Sequence, residues 1–140
     1  MKRLALLVVA SVVLLAACGG GGGGGSASAQ IKSNWEKFFS SKTSISDRVA
    51  LLQNGSKFTA VVTSFANNPL ASNVSSSVSS VTLEGASKAK VVYSVKVAGA
   101  SLGNQTGEAV LQSGTWKVGD ASLCKLISLS GSTPAVCKKS

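Results

Sequence analysis

The chain has no histidine and few acidic side chains: five, against 14 lysines and arginines in 140 residues. Histidine is the commonest acid–base catalyst near neutral pH and a common metal ligand, so its absence removes many enzyme and metal-site designs. The carboxylates form no close pair in the sequence; they are Glu36, Asp47, Glu84, Glu108 and Asp120. Asp47 suits a first helical turn and Asp120 a loop turn. We therefore expect no catalytic site, no metal and no cofactor.

The N-terminal residues have the order of an export signal. Lys2 and Arg3 precede an apolar run over residues 4–17, whose last residues are small. This run is shorter than the roughly 20 residues that a helix needs to cross a bilayer. Residues 1–17 are therefore predicted to be a signal peptide rather than a permanent membrane span.

The end of that signal, Leu15-Ala16-Ala17-Cys18, resembles the lipobox of bacterial lipoproteins. The resemblance implies that the mature chain begins at Cys18 and that its thiol carries a diacylglycerol. Two or more acyl chains would then anchor the protein stably to the outer face of the cell membrane. The alternative is ordinary secretion with an unmodified Cys18.

Glycine is concentrated directly after Cys18, where residues 19–25 are all glycine. A phosphate-binding glycine loop would need a strand before it, a helix after it and a Lys-Ser/Thr or GxGxxG pattern, which this stretch lacks. The composition of residues 18–30 instead predicts a flexible tether behind the lipidated cysteine. Residues 31–140 are then long enough for one domain with a modest core.

Cysteine is scarce, and the three cysteines have different predicted roles. If Cys18 carries lipid, Cys124 and Cys137 remain as one pair, which is expected to form a disulfide outside the cytoplasm. A redox or metal role is the alternative for the pair. It has little support, because there is no CxxC spacing and no histidine to complete a site.

The first half of the domain has helical spacing. Ile31, Trp35, Phe38 and Phe39 share one helix face, since they fall at i, i+4, i+7 and i+8. A second helix is predicted with Ser46 as its N-cap and Asn54-Gly55 as its end. A third opens at Ser56, carries Phe58, Val61, Val62 and Phe65 on one stripe, and ends near Pro69.

Beyond Pro69 the apolar residues alternate with polar ones, as in strands. The pattern predicts strands around Val81 and Leu83, over residues 88–97, 108–112 and 115–118, and a last strand over residues 123–129. Residues 99–107 are interpreted as a turn region. Short connections favour antiparallel pairing, so the fold class is α+β, with three N-terminal helices packed on a curved sheet of about four strands.

This order of elements is similar to the nuclear transport factor 2-like (NTF2-like) cone, in which a sheet wraps around the first helix. Several short motifs further resemble the low-molecular-weight-antigen family of actinobacterial exported proteins. They are Trp35 with Phe38-Phe39, Asp47-Arg48-Val49, residues 51–55, Phe58, Trp116-Lys117-Val118 after Gly114, Cys124-x-Leu126 and Pro134-Ala135-x-Cys137. The resemblance covers most of residues 31–137. It implies an exported, surface-associated domain without implying a particular biochemical activity.

A cone of this kind can leave an apolar cavity at its mouth. The large side chains best placed to line it are Trp35, Phe39, Tyr93 and Trp116. The alternative is that these four fill the core, because aromatic residues make up only 5% of the chain and packing needs them.

The chain is strongly basic, with a formal net charge of +9. Lys88, Lys90 and Lys96 are predicted to project from one strand face, where they would be attracted to an anionic membrane. The alternative is that they keep the sheet surface soluble and discourage edge pairing. Nucleic acid is not expected as a partner, because no aromatic residues are interleaved with the basic ones.

Together these observations predict a membrane-anchored, non-catalytic binding or interaction module, with an envelope protein or an apolar ligand as its partner. The alternatives are a lipid or small-molecule carrier that uses the cone cavity, and a degenerate enzyme of the same fold. A deep apolar cavity would favour the carrier, and a filled core with a large exposed apolar patch would favour a protein partner. A buried carboxylate in a cleft would favour the enzyme.

Overall fold

A computed structural model describes residues 23–138 of the chain, with side chains from Ser26 onward. The predicted signal peptide and the lipidation site at Cys18 lie outside the described residues. Three 3₁₀ turns, at Gly55–Phe58, Pro69–Asn73 and Ala135–Lys138, accompany the helices and strands. The helices and strands in chain order are α1 Gly23–Phe39, α2 Ile45–Ala50, α3 Thr59–Ala66, β1 Val74–Leu83, β2 Lys88–Val97, β3 Ala100–Gln112, β4 Thr115–Val118 and α4 Asp120–Ser128.

The four strands form one antiparallel sheet in the order β1-β2-β3-β4. The sheet is curled. Register shifts interrupt the pairing between Val78 and Ser80 on β1 and between Ser94 and Lys96 on β2. Such irregularities bend a strand and increase its twist, which curls the sheet around the helices. The α+β class and the antiparallel sheet predicted from the sequence are confirmed.

Helix α1 packs against β1 and β4 through the predicted apolar stripe. Ile31, Trp35, Phe38 and Phe39 are all buried in the core that this helix shares with the sheet. Gly107 on β3 makes room for the largest of them, because a Cβ atom there would lie 2.8 Å from Cη2 of Trp35. The core is therefore fitted to the Trp35 indole.

The helix begins earlier than expected. Residues 23–30, assigned to the flexible tether on composition, are helical in the structure and belong to α1. The physical reason is that Ala27 extends the apolar stripe of α1, because it lies one helical turn before Ile31 and packs against the same core. The rest of the predicted tether, residues 18–22, lies outside the described residues.

Helix α2 is capped by a different serine from the one predicted. The hydroxyl of Ser44, not Ser46, accepts a hydrogen bond from the backbone N–H of Asp47 at 3.2 Å. The helix therefore starts at Ile45. Ser46 lies inside its first turn, with its hydroxyl 3.1 Å from that of Ser44.

The residues after α2 cover the edge of β4. The N–H of Val118 donates to the carbonyl of Leu51 and the N–H of Gln53 donates to the carbonyl of Val118, both at 2.8 Å. Asn54 then turns the chain in the left-handed region, with φ 53°. At the opposite edge, the N–H of Val78 on β1 donates to a carboxylate oxygen of Glu36 at 3.1 Å.

Two predictions for the second half of the domain were wrong. Most of residues 99–107, interpreted as a turn, belong to the long strand β3, and the reversal is confined to Ala98 and Gly99, both with positive φ. Residues 123–129, predicted as a strand, belong instead to α4 and its C-cap. Leu123, Leu126 and Ile127 have helical spacing and all pack against the core, which stabilises a helix at this point.

Candidate functional site: an apolar cavity with a buried arginine

A cavity of about 590 Å³ lies between the helices and one end of the sheet. Its walls come from the end of α1, from α2, α3 and α4, from the 3₁₀ turn Pro69–Asn73 and from residues 130–134, with one valine from each of β1 and β2. Most of the lining side chains are apolar. This volume is within the range of about 300–1,000 Å³ that is usual for small-molecule sites.

The cavity is partly open to solvent, and two of its large apolar lining residues lie exposed on α3 and in the following turn. Phe65 and Leu70 line it there, although 38% and 58% of their surfaces remain exposed. Large apolar side chains at an opening are costly to leave in water, and a ligand that covers them would gain from their burial.

Arg48 is the single charged side chain among the described residues that line the cavity. It lies on α2 and is only 2% exposed. Its Nη2 donates to the carbonyl of Ser40 at 2.6 Å, and its guanidinium carbon lies 5.3 Å from the ring centroid of Phe65. The aromatic face and the carbonyl hold the guanidinium in place at the cavity wall.

The positive charge of Arg48 has no carboxylate to neutralise it in the described part of the chain. Neither of the two ion pairs found over residues 23–138 includes Arg48; they are Lys37 with Asp47 and Lys88 with Glu108. The Nε of Arg48 is buried without any hydrogen-bond partner. Burial disfavours the charged form and lowers the pKa of Arg48 from its ordinary value. A buried arginine without an acidic partner is rare in protein interiors.

Arg48 was not among the site residues predicted from the sequence. A signal for it is nevertheless present, because Arg48 lies three residues after Ile45 and four before Leu52, both of which pack in or against the core. That spacing places the arginine on the buried face of α2. In the sequence alone, the same residue stands out only as part of the Asp47-Arg48-Val49 motif.

The Cys124–Cys137 disulfide, predicted from the sequence, is present and joins α4 to the last 3₁₀ turn, with 5.5 Å between the two Cα atoms. The segment that it closes includes Ser130, Ser132 and Pro134, which line the cavity. The disulfide therefore ties down one wall of the site.

The four aromatic residues proposed for a cavity mouth are all buried in the core. Phe39 is the one that also lines the cavity. Tyr93 packs behind it, stacked on Phe39 at 5.7 Å and edge-on to Trp35 at 4.9 Å between ring centroids. Trp116 is buried on β4, and its carbonyl accepts a hydrogen bond from Asn34 on α1 at 2.9 Å.

Tyr93 is 2% exposed, and burial raises its pKa to about 12. Desolvation is the cause, because the phenolate would have to be formed in an apolar core. Tyr93 therefore stays neutral at physiological pH.

The three lysines of the predicted basic face lie on the outer face of β2, and all are exposed. Lys88 is 3.8 Å from Glu108 across the strand pair, and Lys90 lines a shallow hollow together with Glu84 and Glu108. Lys96 lies toward the other end of the strand. Acidic neighbours thus accompany two of the three lysines.

Residues 23–138 contain no helix with the length and hydropathy of a membrane span. The same residues bring together no group of three or more potential metal ligands from histidine, cysteine, aspartate and glutamate. None of the five carboxylates is fully buried.

Residues 23–138 form a small α+β domain with a mainly apolar cavity whose wall carries one buried cation, Arg48. Comparison with known families shows which family the chain belongs to. The family model for the C-terminal domain of low molecular weight antigen MTB12 matches residues 25–134, which is most of the chain. The protein therefore belongs to this family, and the resemblance carried by its motifs is confirmed. No curated protein matches the chain.

Proposed function

We propose that the protein is a lipoprotein of the cell envelope whose NTF2-like domain binds a small apolar ligand, without catalysing a reaction on it. The observation that carries this proposal is the cavity of about 590 Å³ with its mainly apolar lining. A cavity of that kind was the feature expected to favour a carrier over an interaction module with a filled core. The carrier, second among the sequence-based hypotheses, therefore becomes the preferred one.

The arrangement of the core supports a permanent cavity. Phe39 forms part of the wall and is backed by Tyr93 and Trp35, so the wall on this side is a rigid aromatic cluster. On the other side the disulfide restrains the segment after α4. Preformed walls reduce the conformational entropy lost when a ligand binds.

The proposed location follows from the N-terminal sequence. A lipobox-like Leu15-Ala16-Ala17-Cys18 predicts an anchor at Cys18, and the glycines at positions 19–22 separate that anchor from the start of α1. A domain held close to a membrane is well placed to take up or release apolar molecules there. A protein partner remains the second candidate, because exposed Phe65 and Leu70 at the cavity opening also suit a docking side chain.

Native mass spectrometry tests the proposal. The exported chain carrying Cys18→Ser would be purified without detergent and its mass compared before and after denaturation. We expect a discrete additional mass in the native spectrum that is lost on unfolding, and extraction would identify its chemical class. A native mass equal to that of the bare chain, together with no uptake of a neutral apolar fluorophore, would contradict the carrier and leave the protein partner.

A further inference from the structure

We propose that the ligand of the cavity is an amphiphile with a single carboxylate, and that this carboxylate binds to Arg48. The inference rests on the proposed function, since it specifies which molecules the apolar cavity accepts. Its chemical class is that of a fatty acid: one apolar chain with one anionic end.

The hydrogen-bonding state of Arg48 is the first argument. A guanidinium has five N–H donors, and the described residues supply one acceptor, the carbonyl of Ser40 at 2.6 Å from Nη2. Nε, buried and without a partner, is left unsatisfied. Buried polar groups are nearly always hydrogen-bonded, so this N–H is available to an acceptor from outside the described residues that displaces the side chains covering it.

The charge balance of the cavity is the second argument. Arg48 is its single charged lining residue among those described, and a lone buried cation is unfavourable in an apolar site. A monoanion would neutralise it, whereas the second charge of a phosphate monoester would have no counter-charge on the described walls. A carboxylate also matches a guanidinium in shape, because it can accept two parallel N–H hydrogen bonds.

The rest of the cavity fits an apolar chain. Beyond Arg48 the walls are formed mostly by aliphatic and aromatic side chains, such as Val62 on α3 and Leu126 and Ile127 on α4. Each methylene buried there favours binding, so chain length would supply affinity while Arg48 would supply selectivity for the anionic end.

Competition between matched ligands tests the inference. The chain from residue 18 onward, carrying Cys18→Ser, would be loaded with a neutral apolar fluorophore, which would then be displaced by dodecanoate, dodecanol or dodecyl phosphate below their micelle concentrations. The three share one apolar chain and differ in the head group. We expect dodecanoate to displace the probe at about a 10- to 100-fold lower concentration than dodecanol, the usual range for hydrogen bonds to a charged group.

Two variants test whether Arg48 is the residue responsible for the preference for dodecanoate. Arg48→Met retains an unbranched side chain against Phe65 and should remove the preference for dodecanoate while leaving the affinity for dodecanol unchanged. Lys57→Met is the matched control, because it removes one positive charge from an exposed site that does not line the cavity. It should leave the preference intact. Denaturant unfolding of each variant establishes that it is folded. The comparison of dodecanoate with dodecanol in the wild type tests the proposal even if a variant does not fold.

Each contrary result has a distinct meaning. Equal displacement by acid and alcohol in the wild type would overturn the role of Arg48 and leave the apolar carrier standing. A preference for dodecanoate that persists in Arg48→Met would also overturn it. Tighter binding of dodecyl phosphate than of dodecanoate would replace the carboxylate with a phosphate head group. Failure of the fluorophore and of all three ligands to bind would overturn the carrier itself, and the inference with it.

Discussion

Burial affects individual polar side chains of this small domain in different ways. Arg48 and Tyr93 are both almost fully buried, but they differ in what burial does to them. Tyr93 is neutral and can remain in an apolar core, whereas Arg48 brings a positive charge to a cavity wall without an acidic partner among residues 23–138. Tyr93 therefore serves packing, and Arg48 is the residue that we propose to bind the anionic end of a ligand.

The raised pKa of Tyr93 predicts a loss of stability at high pH. The pKa is about 12 in the folded protein and about 10 for an unperturbed tyrosine, so between these values the unfolded chain releases the proton first. Deprotonation then favours the unfolded state. Below pH 10 the difference between the two pKa values has no effect on stability. Above pH 10 the free energy of unfolding falls as the pH rises toward 12.

Denaturant unfolding as a function of pH measures this effect. The free energy of unfolding should fall more steeply for the wild type than for Tyr93→Phe over that pH range, because the lysines contribute equally to both. Tyr93 is the chain's one tyrosine, so tyrosinate absorbance reports its titration directly. Parallel curves for the two proteins, or a tyrosinate transition near pH 10 in the folded state, would contradict the prediction.

At the scale of elements, the C-terminal part of the domain depends on a covalent link. Helix α4 and the final 3₁₀ turn are joined by the disulfide, which spans 13 positions in the sequence. The intervening residues contribute to the cavity wall, so this cross-link acts on the shape of the site as well as on the stability of the fold.

Replacing both cysteines, as in Cys124→Ser/Cys137→Ser, should lower the free energy of unfolding by about 3 kcal/mol, the chain-entropy value for a loop of this size. It should also weaken binding of the neutral apolar probe, because residues 130–134 lose their restraint. Guanidinium unfolding and probe fluorescence measure the two effects. A reductant should shift the wild type and leave the double variant unchanged; equal stability of the two proteins without reductant would contradict the expected contribution.

Helices and strands were predicted correctly where the spacing of apolar residues fitted only one of the two. They were predicted poorly where a short segment fitted both a helix and a strand. The aromatic stripe of α1 and the alternation on β2 have a single interpretation, and both elements are present. Residues 123–129 are apolar enough for a short strand, but their contacts with the core make them helical. Composition alone misled at residues 23–30, since small residues also fit a helix when one of them, Ala27, reaches the core.

The site was harder to predict than the fold. The disulfide followed from counting cysteines, but the cavity required three-dimensional information, because its walls come from α1 to α4 and from the chain beyond them. Arg48 stands on the buried face of α2, where an arginine is more often found extending to solvent along its aliphatic stem. Its burial depends on the neighbouring carbonyl of Ser40 and ring of Phe65, which belong to other segments of the chain.

For the whole molecule, the decisive prediction concerns the anchor. If Cys18 carries acyl chains, Cys18→Ser should move the protein from the membrane fraction to the soluble exported fraction, because the hydrocarbon that holds it in the bilayer is lost. Cell fractionation followed by immunoblotting measures the distribution. Cys124→Ser/Cys137→Ser controls for cysteine loss in general and should stay with the membrane. An unchanged distribution of Cys18→Ser would rule out the lipid anchor.

The two edges of the sheet have a further consequence for how copies of the domain meet at high concentration. Strand β4 is already paired with residues 51–53, and the outward N–H of Val78, near the middle of β1, is taken by Glu36. Exposed strand edges are the usual templates for intermolecular β-pairing. Here the end of β4 is covered at Val118, and β1 places a carboxylate and a bulge where an incoming strand would need a free donor. A strand from a second copy would therefore find the backbone groups of Val78 and Val118 already bonded, which disfavours intermolecular pairing along β1 or β4.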